Sequence, residues 1–212
     1  MKLSFVFIGE GPTDALLTPH LERLCLEADP RVIEVRGTHI DFSSIPGAPG
    51  RRLVDQLSWV REHASRADIV FIHRDADSRD AEPVRQRIAK AVSTAGIEAK
   101  WVAVVPVQEL EAWLLVDEAA IRLAVANPRG KASLDLPKPK HVEMRANPKE
   151  ALKKAIVVAG KSGRAAANFA EARRRLLERI DIHGPVSQLP AWRRLVDDVG
   201  AVVTELLRER GE

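Results

Sequence analysis

The residues best equipped for chemistry in this 212-residue chain are acids. Asp75 and Asp77 stand at the end of the apolar run Ile69-Val70-Phe71-Ile72. Glu10 sits between Gly9 and Gly11, just after the apolar run from Leu3 to Ile8. Glu109 and Glu111 follow a third such run, from Trp101 to Val107. Carboxylates brought together repel one another unless a cation neutralises them. An oxygen-only set with no His or Cys cluster selects a hard cation, Mg2+ or Mn2+, over zinc. Magnesium keeps part of its water and bridges to phosphate, so the chemistry indicated is phosphoryl or phosphodiester hydrolysis.

The elements that must position these acids follow from the apolar pattern. A short, fully apolar run such as 68–74 reads as a strand buried on both faces, as in a parallel sheet. Further strands are expected over 3–8, 32–36 and 100–107, with helices following the turn at 9–14 and over 51–66 and 80–95. Residues 37–50 read as a polar, Gly- and Pro-rich loop. Pro12 suits a first helical turn, and Thr13 or Asp14 can cap it. This β-α alternation implies right-handed crossovers and an α/β fold, a four-stranded parallel sheet flanked by helices. All strand exits of such a sheet share one edge, where open α/β sheets place their sites. His73 is expected in the core, and Arg74 beside the acidic edge against phosphate. Beyond the sheet, residues 108–126 read as a helix and 127–147 as a Pro- and Lys-rich excursion. Helices follow at about 148–159, 164–180 and 190–209. The expected division is an α/β domain over 1–117 and a helical, basic extension over 118–212, packed on the first.

Composition narrows the function classes. An apolar fraction of 45% supports a real core. The single Cys25 rules out a disulfide framework within the chain and fits a reducing cytoplasm. No apolar run reaches the ~20 residues of a membrane span, and Leu3 to Ile8 is too short for a signal peptide's apolar region. The chain has no Tyr, hence no tyrosine nucleophile for a covalent strand-passage intermediate. Charge is unevenly spread. Residues 1–118 hold 14 Lys and Arg against 19 acids, whereas residues 119–212 hold 19 against 11. Residues 128–164 alone carry ten Lys and Arg against three acids, a density that gives salt-sensitive affinity for phosphate. Lys138, Lys140, Lys149 and Lys153 are the candidate nucleic-acid contacts there.

The strand–Gly9-Glu10-Gly11-Pro12-Thr13-Asp14–helix segment, followed by strand–Asp75-Ala76-Asp77, resembles a TOPRIM domain, the fold of primases, topoisomerases and OLD-type nucleases. Glu111-Ala112-Trp113-Leu114-Leu115-Val116-Asp117 resembles an element that small bacterial proteins of the OLD-nuclease kind carry after their last strand. The likeness covers roughly residues 3–117. It implies a TOPRIM-type sheet with Glu10 as general acid/base or metal ligand. Asp75 and Asp77 would be magnesium ligands, and Glu109 and Glu111 would serve a second metal position. OLD-type nucleases also use a lysine to stabilise charge, for which Lys138, Lys140 and Lys149 remain open. Such proteins are linked to phage defence beside an ATPase partner. Receiver domains and haloacid-type phosphatases carry their acid pair after the first strand, not the third, and fit less well. A TOPRIM fold kept only for nucleic-acid binding, or as the partner of an ATPase, is the non-catalytic alternative.

Overall fold

Seven residues from Lys2 to Ile8 form β1, and its inner positions pack apolar side chains on both sides of the strand. In the computed structural model, residues 1–160 and 168–211 are described. The expected start of the helix over 164–180 lies outside the described residues. After β1 come a 3-10 turn (Pro12–Leu17), α1 (Thr18–Ala28), β2 (Glu34–Ile40), α2 (Leu53–His63), β3 (Ile69–His73), α3 (Glu82–Ala95) and β4 (Lys100–Val104). The helical remainder comprises α4 (Glu111–Leu114), α5 (Glu118–Ala124), α6 (Pro139–Val142), α7 (Pro148–Ala159), α8 (Phe169–Leu177) and α9 (Pro190–Arg210).

The four strands form one parallel sheet in the order β2-β1-β3-β4. The α/β fold expected from the alternation is therefore present, with a four-stranded parallel, Rossmann-like sheet, flanking helices and a C-terminal helix. β3 lies inside the sheet and is buried at every position, which explains its unbroken apolar run. Phe71 meets Phe5 of β1 edge to face, with ring centroids 4.9 Å apart.

Three local expectations need correction. β2 extends through Gly37 to Ile40, where a loop was expected. A Cβ on Gly37 would stand 2.2 Å from the Phe5 ring, so this glycine marks close packing within a strand and not a turn. The helix expected over 108–126 is two short helices, because the Asp117 carboxylate accepts the Ala120 N–H at 2.9 Å and starts α5 anew. The excursion over 127–147 contains the short α6, begun by Pro139.

The chain divides into two compact units. The first comprises Met1–Arg74, Glu82–Val105 and Arg194–Glu212, and the second Asp75–Ala81 and Pro106–Arg193. These units do not coincide with a cut at residue 117, because most of α9 belongs with the sheet. Its Glu205 and Glu209 meet Lys100 of β4 at 2.7 and 2.6 Å, and its Asp198 meets Arg85 of α3 at 3.1 Å. In the second unit α4, α5, α7 and α8 pack on one another. Trp113 and Trp192 meet there edge to face at 4.8 Å. No helix among the described residues is long and apolar enough to cross a membrane.

Phe71 is wholly buried between sheet neighbours, so Phe71→Ala should cost about 3–5 kcal/mol in urea unfolding. A loss below about 1 kcal/mol would contradict this placement of the core.

Candidate functional site

In the first unit the chain leaves β1 through Gly9-Glu10-Gly11 and is held by one carboxylate. Asp14, in the 3-10 turn, is 5% exposed. Its Oδ2 accepts the N–H of Glu10 at 2.8 Å and, more weakly, that of Gly11 at 3.4 Å. The same oxygen meets Nδ1 of His73, the last residue of β3, at 2.8 Å. An ionised carboxylate only accepts, so the His73 Nδ1 carries the proton of this bond. Burial by itself pushes the Asp14 carboxyl up. The hydrogen bond and charge of His73 and the two backbone N–H groups outweigh that and hold it at about 2, below the ordinary 3.8. Gly9 is required by this arrangement: a Cβ there would lie 2.7 Å from Asp14 Cβ and Oδ2.

Arg74 braces the same loop from its carbonyl side. Nη1 donates to the oxygens of His73 at 2.6 Å and Gly9 at 3.3 Å, and Nη2 donates to Gln56 Oε1 at 2.8 Å. Burial lowers its pKa, opposed by the charges of Glu10 and Asp14. The phosphate contact expected of Arg74 is not its placement here, since both terminal nitrogens are turned onto protein acceptors. His73 is in the core as expected, yet as the hydrogen-bond partner of a buried carboxylate.

Glu10 itself is exposed on this clamped loop and lines a cleft of about 330 Å³ in the first unit. His39 at the end of β2 lines the cleft too, its ring edge-on to Phe7 at 5.4 Å. Burial pulls the His39 pKa below its ordinary value, against the pull of Asp14 and Asp41, which favours the neutral ring at neutral pH.

In the second unit, Asp75 is half-buried and accepts the Leu110 N–H on Oδ1 at 2.8 Å. Asp77 is exposed and takes a left-handed backbone, φ 54°. The chain around them is fixed by Ala76 N–H to Pro106 O at 3.1 Å and Asp77 N–H to Gln108 O at 2.9 Å. Glu109 accepts the backbone N–H of Lys149 at 3.1 Å. Glu111, expected as a metal ligand, is 4% exposed and paired with Arg173 Nε at 2.8 Å. A buried acid so paired is already neutralised, which accounts for it without a metal. Of the expected cations, Lys138, Lys140 and Lys149 have exposed side chains, while Lys153 is occupied by Glu150 at 2.5 Å.

The five acids therefore do not form one many-ligand cage. Among the described residues no group of three or more His, Cys, Asp or Glu is arranged to hold a metal ion. The donor chemistry of Asp75 and Asp77 still fits magnesium, which is commonly held by one or two carboxylates, with water and substrate phosphate completing its shell. Sequence reasoning missed the Asp14–His73 pair and the roles of Gln56 and Arg173. Asp14 was legible only as a cap and His73 only as a core residue, because 59 positions separate them.

Because its folded pKa is depressed, Asp14 stabilises the fold by about 2 kcal/mol above about pH 4, and this is lost as pH falls towards about 2. Asp14→Asn should thus be destabilised at pH 7 in urea unfolding, and its deficit relative to the native protein should shrink between pH 4 and pH 2. A deficit independent of pH would contradict an ionised Asp14.

Residues 10–200 match the family described as domain of unknown function (DUF4276). No curated protein and no solved structure matches the chain. The matched stretch runs from Glu10 into α9 and covers most of the sequence, so the protein belongs to the DUF4276 family.

Proposed function

We propose that this protein is a TOPRIM-like nuclease that hydrolyses nucleic-acid phosphodiesters with Mg2+ or Mn2+. The observation carrying the reading lies within the first unit: an exposed acid, Glu10, at the exit of a parallel strand, on a loop whose Gly9–Glu10 peptide is bonded at both its N–H and its C=O. Glu10 stands two residues beyond the end of β1. Open α/β sheets work at that end of their strands. Asp75 and Asp77 would hold the cation, with Glu109 as an outer contributor. When bound, the cation would supply Lewis acidity towards the phosphate. Glu10, on a loop fixed from both sides, would take up or return a proton. The exposed Lys138, Lys140 and Lys149 would track the phosphate backbone by charge, and Lys149 is the preferred residue for stabilising charge in the transition state. Work in the cytoplasm, in phage defence beside an ATPase, goes with this reading.

A second reading is favoured by one observation, the burial of Glu111 against Arg173. On that reading the chain binds nucleic acid or an ATPase partner without cleaving.

Purified protein with Mg2+ or Mn2+ should cut plasmid, linear or single-stranded substrate, and Asp75→Ala/Asp77→Ala should cut at least about a hundredfold more slowly. Equal rates would remove these acids from the reaction. Absence of cleavage on every substrate, with metal binding intact, would favour the second reading. Changing Lys138, Lys140 and Lys149 together to Glu should weaken DNA binding and lower the log–log salt slope by about 3. An unchanged slope would place the nucleic acid elsewhere.

A further inference from the structure

The cleft above Glu10 is more specific than a general acidic edge. Its walls come from the β1 exit loop, the end of β2 with the 3-10 turn Phe42–Ser44, and the loop leading into α2. Glycines stand in two of these walls without a backbone reason. Gly11 is extended, with φ −160° and ψ 172°, a conformation open to any residue. A Cβ on Gly11 or Gly50 would meet nothing within 4 Å, and Gly50 has no positive φ. Glycine raises the entropy cost of folding, so at both positions a larger residue would be tolerated and stabilising by the fold's own logic. What both glycines provide is space.

The groups around that space are those a nucleotide requires. Arg51 is exposed, lines the cleft, and has no ion pair or hydrogen bond among the described residues. Phe42 offers a half-buried ring whose edge-to-face contact with Trp59, at 5.6 Å, holds it in place. Trp59 is in turn stacked on His63 at 4.3 Å, so the ring at the cleft wall is backed by a rigid row. Asp41 is fixed by the Ser43 N–H at 3.0 Å and hydroxyl at 2.6 Å, and stands as an acceptor for amino or hydroxyl groups. A cleft of about 330 Å³ sits at the low end of the volumes that hold one small molecule. That volume is of the order of one nucleotide unit and too small for a stacked pair of bases.

We infer that the cleft lined by Glu10, Phe42, Gly50 and Arg51 binds a single nucleotide unit, with phosphate on Arg51 and the base against Phe42. The unit is a single-stranded end or a free mononucleotide, and duplex interior is excluded. The inference deepens the proposed nuclease reading by naming its substrate class, yet the binding it describes requires no cleavage.

The test is therefore binding in EDTA, measured by calorimetry and fluorescence anisotropy with a short oligo-dT, a blunt duplex and dTMP. Gly50→Val and Gly11→Val fill the cleft, and Arg51→Gln removes its cation. All three should melt at or above the temperature of the native protein. Oligo-dT affinity should fall about tenfold in each variant, the loss of one good contact, while duplex affinity is unchanged. Binding of dTMP but not oligo-dT, lost in the same variants, would support the cleft and assign it to a free nucleotide. Unchanged affinity for both ligands in folded variants would overturn the inference, as would an equal loss of duplex binding. Failure of cleavage with this pattern intact would overturn the nuclease reading alone.

Discussion

One carboxylate oxygen, Asp14 Oδ2, accepts bonds from the β1 exit loop and from His73 at the end of β3. Burying that charge is costly, and the surrounding donors offset the cost only while all are in place. The oxygen therefore couples the path of the Glu10 loop to the end of a central strand. Arg74 completes the coupling by gripping the carbonyl of Gly9 and the side chain of Gln56 on α2. An exposed acid on an ordinary loop would wander among rotamers and backbone states. Here the backbone beneath Glu10 is fixed on its N–H and its C=O sides, the kind of support that an acid needs if it is to act at a defined place.

That arrangement also explains the sequence around it. Gly9 leaves room for the Asp14 side chain. Pro12 starts the turn that carries Asp14 into position. His73 ends an otherwise apolar strand because it is the partner of a buried anion, and an apolar replacement would leave that anion without this donor. In the second unit the acids are treated differently. Glu111 is neutralised by Arg173, Glu109 accepts a backbone N–H, and Asp77 is exposed at the surface. The motif Glu111 to Asp117 resolves into an ion pair, a tryptophan packed on Trp192 and a helix cap.

Much of the fold could be read directly from periodicity. β1, β3, α3 and α7 appear where their patterns place them, because a buried strand or an amphipathic helix writes its burial into local spacing. β4 starts at the expected Lys100 but ends at Val104 instead of Val107. β2 runs beyond the expected residue 36 because Gly37, which opens a Gly- and Pro-rich stretch, packs against Phe5 across strands. The continuous apolar pattern after β4 predicts one long helix, and the cap at Asp117 interrupts it. For the site, the acids could be listed in advance, but their partners could not. His73 with Asp14, Arg173 with Glu111 and Arg74 with Gln56 are separated by between 18 and 62 positions. No local pattern encodes such pairs, and they set the surroundings of each acid.

The central claim is that the clamped Glu10 does chemistry on phosphodiesters. It is tested most directly by single-turnover cleavage with Mg2+, comparing the native protein with Glu10→Gln. The substitution removes the charge and the proton site but leaves the backbone N–H that Asp14 holds. The account predicts an unchanged melting temperature and cleavage slowed by at least about a hundredfold. Cleavage at the native rate by a folded Glu10→Gln protein would contradict it.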